Sequence, residues 1–337
     1  MSFLPSVFFR SFVERMHNQK VNSMNETGHS EEYFGDYRDH WWNADFVNLI
    51  AQRLNLASKH SALDVGCGLG HWTRIIAPHL AAGAIVRGVD ADPKWVRDAP
   101  AWTATMRDRG LDVRVEYGDA LSLPFADASF DFVTCQTVLI HVSDPQHAMR
   151  EMLRVLKPGG LLLCVEPDNL CATTMRSSFG DEFTSKECAE GYEFALTIER
   201  GRRVLGRGDH SLGGLVPGYF NQVGLKQIRT WISDKAIPLY PPYERAEQRI
   251  IVDGMKAWQQ ADDPARKSET RGFFVAGGGD ASLFDALWAR DVENQTRYAQ
   301  AIGAGSVVLG GAALMYLVSG IKPNLSPSAE ADVARRA

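Results

Sequence analysis

The sequence predicts an α/β fold in which a parallel β-sheet is covered by helices on both faces. Between Ala62 and Val165, short apolar runs alternate with segments of helical pattern, which is typical of such a sheet. The first apolar run leads into a glycine-rich turn, Gly66–Gly70. The chain has 337 residues, of which 45% are hydrophobic and 23% charged, so it can bury a sizeable core.

Five strands and three helices can be placed in this region. The predicted strands are Ala62–Val65, Ala84–Val89, Val113–Tyr117, Phe130–Cys135 and Leu161–Val165. The predicted helices are His71–Leu80, Pro93–Arg109 and Gln146–Leu156. Pro93 suits a first helical turn, where its missing N–H is no loss, and Lys157–Gly160 predicts a turn before the fifth strand. Ligands of such sheets bind at the carboxyl ends of the strands.

Three stretches outside this region also carry helix or strand patterns: Asp181–Arg203, Phe220–Ser233 and Pro238–Arg297. In the last one, Ile251, Met255 and Trp258 share one apolar helix face. Four arginines crowd the end of the first one: Arg200, Arg202, Arg203 and Arg207. They could bind an acidic or diphosphate acceptor, although such a cluster is more often a solvated helix C-terminus.

The stretch Ala301–Ile321 carries no charge and has the length of a membrane-spanning helix. Five glycines dilute its hydrophobicity, and its apolar residues form two runs separated by the pair Gly310-Gly311. We therefore expect a buried late strand here and no membrane span.

The net charge and the cysteine pattern disfavour several other classes of protein. The formal net charge is −5, which disfavours a general nucleic-acid binder. The cysteines form no CxxC pair and have no histidine at metal-ligand spacing: Cys67, Cys135, Cys164, Cys171 and Cys188. The N-terminus lacks a long uninterrupted apolar region and a small-residue cleavage site. These features predict a reduced, cytoplasmic protein without a signal peptide and without a metal site.

The glycine turn is Gly66-x-Gly68-x-Gly70, with His71 where a dinucleotide fingerprint would place its third glycine. Asp64 stands two residues before the first glycine. A carboxylate there would repel a pyrophosphate but can receive an ammonium group, directly or through water. The loop therefore favours a cofactor that carries an amino acid over one that carries phosphates.

With four further motifs, this loop resembles the class I S-adenosylmethionine-dependent methyltransferases. Within that class it is most similar to the small-molecule enzymes of the ubiquinone and menaquinone biosynthesis type. The matching segments follow in order along the chain: Leu63–Gly70, Gly88–Asp92, Gly118–Phe125, Ser129–Val133 and Arg154–Gly160. Five motifs in this order are far more specific than any one of them. The resemblance is strong from about Leu63 to Glu166.

The resemblance implies a Rossmann-like seven-stranded sheet whose last strand, Tyr316–Pro323, runs antiparallel to the others. It also suggests how the remaining length is used. Residues 1–60 would form an N-terminal helical and aromatic lid, and residues 61–323 the methyltransferase domain. Insertions at about 167–215 and 238–300 would form the acceptor pocket, and 324–337 a flexible tail.

The resemblance assigns most cofactor contacts to the sheet edge. Asp90 would bind both ribose hydroxyls, with Ala91 beside it, although Asp90 could instead cap the helix that begins at Pro93. Asp119 would accept from the adenine amine while the Ala120 N–H donates to the ring. The alternative for Asp119 is a simple turn residue.

The resemblance implies that the glycine loop and the fourth strand bind the methionine portion of the cofactor. Gly66, Cys67 and Gly68, with Asp64 before them, would let the backbone approach it, although glycines also serve a bare strand-to-helix turn. Gln136, just beyond the fourth strand, would lie near the same end of the cofactor.

Four further candidates have strong alternatives. Arg38 and Trp42, in the aromatic N-terminal segment, could contact the cofactor or acceptor, but core packing suits Trp42 equally well. His141 and Glu166 follow the fourth and fifth strands and could act as catalytic bases. Either residue, like the neighbouring Asp168, could instead cap or pack a helix.

These features predict transfer of a methyl group from S-adenosylmethionine to a small-molecule acceptor by in-line displacement. The alternatives are a methyltransferase acting on protein or RNA, and a NAD-type Rossmann oxidoreductase or non-catalytic cofactor binder. No nucleic-acid partner is expected. The sequence leaves open the acceptor, the atom methylated and the oligomeric state, with a homodimer among the options.

Overall fold

The computed structural model describes residue 38 and residues 40–257, 264–311 and 314–324. Its chain divides into two compact units. The strand unit comprises Ala44–Glu166, Leu212–Ile232 and Met315–Ala337. The helical unit comprises Met1–Asn43, Pro167–Ser211 and Ser233–Leu314. Most of the predicted lid, the Trp258 position and the tail from 325 onward lie outside the described residues.

The strand unit contains a seven-stranded sheet in the order β3-β2-β1-β4-β5-β7-β6. Its strands are β1 Ser61–Val65, β2 Ile85–Asp90, β3 Asp112–Tyr117, β4 Phe130–Gln136, β5 Leu156–Pro167, β6 Lys226–Ile232 and β7 Met315–Ile321. The pairs among β1 to β5 are parallel, and β7 runs antiparallel to β6. The predicted fold class is therefore confirmed, including the antiparallel last strand.

The helices alternate with the strands along the first half of the chain. In chain order they are α1 Ala44–Arg53, α2 His71–Ile76, α3 Pro93–Arg107, α4 Pro145–Val155, α5 Ser185–Val204, α6 Val216–Gln222, α7 Ala246–Ala257, α8 Pro264–Ala276 and α9 Phe284–Gly303. None of the helices in the described part of the chain combines the length and hydropathy needed to cross a bilayer.

The core of the strand unit packs around the central strands β1, β4 and β5. Leu63, Val133 and Leu162 lie on these three strands and are completely buried. Helix α4 covers this core with Met149 and Met152, which lie on its one apolar face. Because the central strands are buried on both faces, they read as continuous apolar runs in the sequence.

Several helix boundaries differ from the sequence prediction for local reasons. Helix α2 ends at Ile76 and continues as a 3-10 turn, because Pro78 has no N–H for an α-helical hydrogen bond. Helix α5 begins at Ser185 and not near Asp181, since Thr184 and Glu187 form a capping box there.

The predicted turn Lys157–Gly160 also needs a correction. It is part of β5, whose register with β4 shifts between Phe130 and Phe132 to accommodate it. The predicted buried late strand is β7, but the uncharged stretch that contains it begins inside α9, which ends at Gly303.

The helical unit has two apolar clusters of its own. One includes Phe179, Leu239 and Tyr298, and the other includes Phe194, Phe274 and Phe284. Helices α5 and α8 pack so closely that a Cβ atom built on Gly201 would lie only 1.7 Å from the Phe273 carbonyl oxygen. The inserted segments 167–211 and 233–314 thus fold together around cores separate from that of the sheet.

Candidate functional site

The glycine loop connects β1 to α2 and has an unusual backbone conformation. Gly66, Gly68 and Gly70 have φ angles of 67°, 49° and 72°, in the left-handed region that side chains disfavour. A Cβ atom on Gly66 would lie 2.4 Å from Cγ2 of Val138, and one on Gly70 would lie 2.6 Å from the Trp102 ring. Both conformation and space therefore require glycine at these two positions.

Asp90 ends β2 and joins the glycine loop to it. Its side chain is 3% exposed. Oδ2 accepts a hydrogen bond of 2.9 Å from the Gly68 N–H, and Oδ1 accepts one of 2.9 Å from the Asp92 N–H. The helix-capping role that the sequence leaves open for Asp90 belongs to Asp92, whose Oδ1 accepts from the Lys94 N–H at 2.8 Å.

Asp64 and Cys67 contact the neighbouring elements of the same loop. Asp64 is buried, and its Oδ2 accepts a short 2.5 Å hydrogen bond from the Thr73 hydroxyl of α2. The Cys67 N–H donates to the Val89 carbonyl at 3.0 Å, and its buried side chain packs close to Gly88. These contacts fix the end of β1 to α2 and the glycine loop to β2.

The segment after β3 lies at the same edge. The Gly118 N–H donates to the Asp90 carbonyl at 3.0 Å. The exposed Asp119 side chain accepts from the Leu121 N–H at 2.8 Å, which forms the local turn that the sequence offers as its alternative role. Ala120 is partly exposed and Ala91 exposed. The main-chain groups predicted to face adenine therefore lie next to the end of β2.

Two buried polar side chains lie at the carboxyl ends of β4 and β5. Gln136 is the last residue of β4, and its Nε2 has no hydrogen-bond acceptor among the described residues. Glu166 is completely buried, and its Oε1 accepts from the backbone N–H groups of Val138 and Leu139 at 3.0 and 2.9 Å. Burial raises the pKa of Glu166 to about 7, although these N–H donors oppose the rise.

The other predicted residues have different surroundings. His141 is partly buried in the turn after β4, where its N–H donates to the Val138 carbonyl. Arg38 and Trp42 are buried in the helical unit. Asp168 accepts hydrogen bonds from Cys171, so it caps the short 3-10 turn Cys171–Thr174.

The arginine cluster of α5 does not act as one group. Arg202 is buried against the Phe273 ring, 4.3 Å from its centroid, with its Nε 3.8 Å from a carboxylate oxygen of Glu199. Arg203 forms an ion pair with Asp209 at 3.4 Å. Across the described ranges, no three His, Cys, Asp or Glu side chains come together in a way that could hold a metal ion.

Sequence reasoning missed Thr73, Trp102, Thr137 and Val138. Thr73 could have been found from its position on the first turn of α2, facing back to β1. Thr137 has a φ of 55°, which is unusual for a β-branched residue. Nothing in the sequence indicates that conformation, or the contact of Val138 with Gly66.

Comparison with known proteins agrees with this geometry. Residues 63–164 match the family described as "Methyltransferase domain". A demethylmenaquinone methyltransferase of Staphylococcus aureus (strain MRSA252) is 41% identical over 117 residues, or 35% of this chain and 47% of that protein. The match spans about half the length of such curated relatives. The resemblance to methyltransferases that the five motifs predict is therefore confirmed for residues 63–164.

Solved structures are similar at the level of the fold. The YcgJ protein of Bacillus subtilis is 22% identical, with a TM-score of 0.45, covering 84% of this chain and all of that one. A phosphoethanolamine N-methyltransferase 2 of Haemonchus contortus is 17% identical, also with a TM-score of 0.45, covering 93% of this chain and 60% of that one. A shared fold does not define a shared acceptor.

Proposed function

We propose that this chain transfers a methyl group from S-adenosylmethionine to a small-molecule acceptor. The observation that carries the proposal is the hydrogen bond from the Gly68 N–H to Asp90 Oδ2. It joins a loop of left-handed glycines, which lets a ligand approach the backbone, to the acidic end of β2, which suits a diol. These two features meet at the carboxyl edge of a parallel sheet, where such folds bind ligands.

The cofactor would be held along this edge by groups from four neighbouring strands. The Asp90 carboxylate would accept from the ribose hydroxyls, and Asp119 with the Ala120 N–H would receive the adenine. Nε2 of Gln136 has no acceptor within the described part of the chain and suits an acceptor oxygen at the methionine end, because a buried donor without a partner is costly until a ligand satisfies it. Gly66 and Gly68 leave room for the main chain of the ligand.

When bound, the cofactor supplies a methyl group that is already activated on a sulfonium. The protein then contributes mainly alignment, proximity and exclusion of water. A base is needed only for an acceptor that carries a proton at the working pH, and His141 is our candidate for it. Glu166 is less suited to that role, since its carboxylate is buried and occupied by backbone N–H groups.

The acceptor class rests on similarity and on the inserted segments. The similar Staphylococcus aureus protein is named a demethylmenaquinone methyltransferase, so its name points to a metabolite and not to a macromolecule. Its match covers 117 residues, or 35% of this chain, so it does not by itself assign the acceptor. We assign acceptor binding to the insertions of the helical unit, with Arg38 and Trp42 as contributors, and a lid role to the N-terminal segment.

The experiment is incubation of the protein with methyl-labelled S-adenosylmethionine and a cell extract separated into small molecules, proteins and RNA. We expect label to enter the small-molecule fraction, and chromatography of that fraction then isolates the acceptor. Label in protein or RNA alone would overturn the small-molecule proposal. Heat-denatured protein serves as the control for labelling that occurs without enzymatic transfer.

A further inference from the structure

The carboxylate of Glu166 accepts its backbone hydrogen bonds from the chain segment that follows β4. Oε1 accepts from the Val138 N–H at 3.0 Å and from the Leu139 N–H at 2.9 Å, and the Ile140 N–H also interacts with the carboxylate. The other oxygen, Oε2, is buried without a partner among the described residues. One carboxylate thus interacts with the N–H groups of three consecutive residues.

The segment held in this way lies directly against the glycine loop. Thr137, where the chain leaves β4, has the left-handed φ of 55° and donates its N–H to the Val165 carbonyl at 2.9 Å. The next residue, Val138, occupies the space beside Gly66 so closely that a Cβ there would lie 2.4 Å from its Cγ2. A strained backbone of this kind persists only when its surroundings hold it.

We propose that Glu166 is a positioning residue that holds the post-β4 segment, Thr137–His141, against the glycine loop and makes cofactor affinity depend on its own protonation. The hold weakens when the carboxylate is protonated, because a neutral acid is a poorer acceptor for N–H groups than a carboxylate. The effect on cofactor affinity rests on the function proposed above, whereas the effect on the segment does not.

The direction of the pH dependence follows from the N–H donors, which lower the pKa of Glu166, so the ionised carboxylate favours the held segment while Glu166 stays buried. Full unfolding has the opposite pH dependence, because burial raises this pKa and ionisation then destabilises the fold. The relevant exchange is therefore that of local opening. Burial raises its pKa to about 7, so it is protonated below that pH and ionised above it. The Cys135 thiol of β4 faces it at 3.6 Å, and burial raises the pKa of Cys135 well above the ordinary value. Cys164 and Asp64 act on Cys135 in turn. His141 is the other titratable side chain on the held segment.

Amide hydrogen exchange tests the hold without any ligand. In the cofactor-free protein, we expect protection of the Val138 and Leu139 amides, corrected for intrinsic exchange, to rise about fivefold between pH 6 and pH 8. That factor corresponds to the difference of about 1 kcal/mol between charged and neutral hydrogen bonds. In Glu166→Gln, which keeps an acceptor oxygen but cannot ionise, protection should not change with pH.

Glu151→Gln is the matched control, since Glu151 also accepts a backbone N–H from a loop, that of Leu123 at 3.0 Å. It should keep the wild-type pH dependence at Val138 and Leu139, which also accounts for any effect of His141. The proposal is overturned if Glu166→Gln retains that dependence, or if Glu166→Ala folds and protects both amides as the wild type does.

Calorimetric titration with S-adenosylmethionine over the same pH range tests the proposed effect of Glu166 protonation on cofactor affinity. The ratio of wild-type to Glu166→Gln affinity should rise by a similar factor through pH 7, because the α-amino group of the cofactor titrates equally in both measurements. A ratio that is independent of pH contradicts the coupling. If the wild type binds no S-adenosylmethionine at any pH, the proposed function fails, while the exchange measurement still decides the positioning role.

Discussion

Glycine serves different purposes in the two units of this protein. In the strand unit, Gly66 and Gly70 adopt left-handed conformations that turn the chain sharply between β1 and α2. In the helical unit, Gly201 and Gly277 lie where two helices approach, and Cβ atoms on them would fall within 1.9 Å of carbonyl oxygens of the other segment. The first use depends on backbone conformation as well as on space, the second on space alone.

This difference explains why the fold of the strand unit can be predicted from the sequence and the fold of the helical unit cannot. A left-handed turn needs glycines at fixed local spacing, and this spacing is visible as the Gly66-x-Gly68-x-Gly70 pattern. A close helix crossing needs a small residue opposite a backbone some seventy positions away, as between Gly201 and Phe273. No local pattern marks such a partner.

Alanine at Gly201 should produce the largest loss of stability. The added Cβ would meet the Phe273 carbonyl oxygen at 1.7 Å, so the two helices must separate, and we expect a loss of about 3 kcal/mol. Chemical denaturation followed by circular dichroism measures it. Gly272→Ala on the same helix pair is the control, since nothing lies within 4 Å of its Cβ position. It should stabilise by about 0.5–1 kcal/mol. Equal changes in stability for the two variants would show that the close approach of the two helices does not require glycine at position 201.

Alanine at Gly66 should act mainly on ligand binding, with a smaller effect on stability. The new Cβ would push Val138 away, and we expect S-adenosylmethionine affinity to fall by at least about tenfold, or 1.4 kcal/mol. Gly83→Ala separates the two contributions, because Gly83 also has a left-handed φ, 72° against 67° at Gly66, but nothing within 4 Å of its Cβ position. This control should lose about 1 kcal/mol of stability and keep its affinity. A matching affinity loss in Gly83→Ala would contradict a local role for the loop.

Removal of the helix cap at Asp92 should have the smallest effect. Asp92→Ala loses the hydrogen bond from the Lys94 N–H, so we expect a loss of about 1 kcal/mol and a lower melting temperature. Asp98→Ala, on the exposed part of the same helix, removes the same charge without a cap. If both variants melt alike, Asp92 does not cap α3, and Asp90 again becomes a candidate for that role.

The sequence predicts the sheet, its order of motifs and the carboxyl edge because each depends on local patterns. It does not distinguish Asp90 from Asp92, two acids in one short segment, since only the geometry shows which one turns back to Gly68. It cannot anticipate that Thr137 adopts a positive φ, because the carboxylate that holds the following amides is Glu166, at the end of another strand. In both cases the sequence prediction fails because the structure depends on contacts between residues that are distant along the chain.

The most direct test is calorimetric titration of the wild type, Asp90→Ala and Asp112→Ala with S-adenosylmethionine and with NAD. Asp112 begins β3 at the opposite end of the strands and bonds Arg87, so its loss should leave affinity unchanged. We predict that the wild type binds S-adenosylmethionine and not NAD, and that Asp90→Ala binds it about 1–3 kcal/mol more weakly. Binding of NAD without S-adenosylmethionine, or an unchanged affinity in a folded Asp90→Ala variant, would contradict the account.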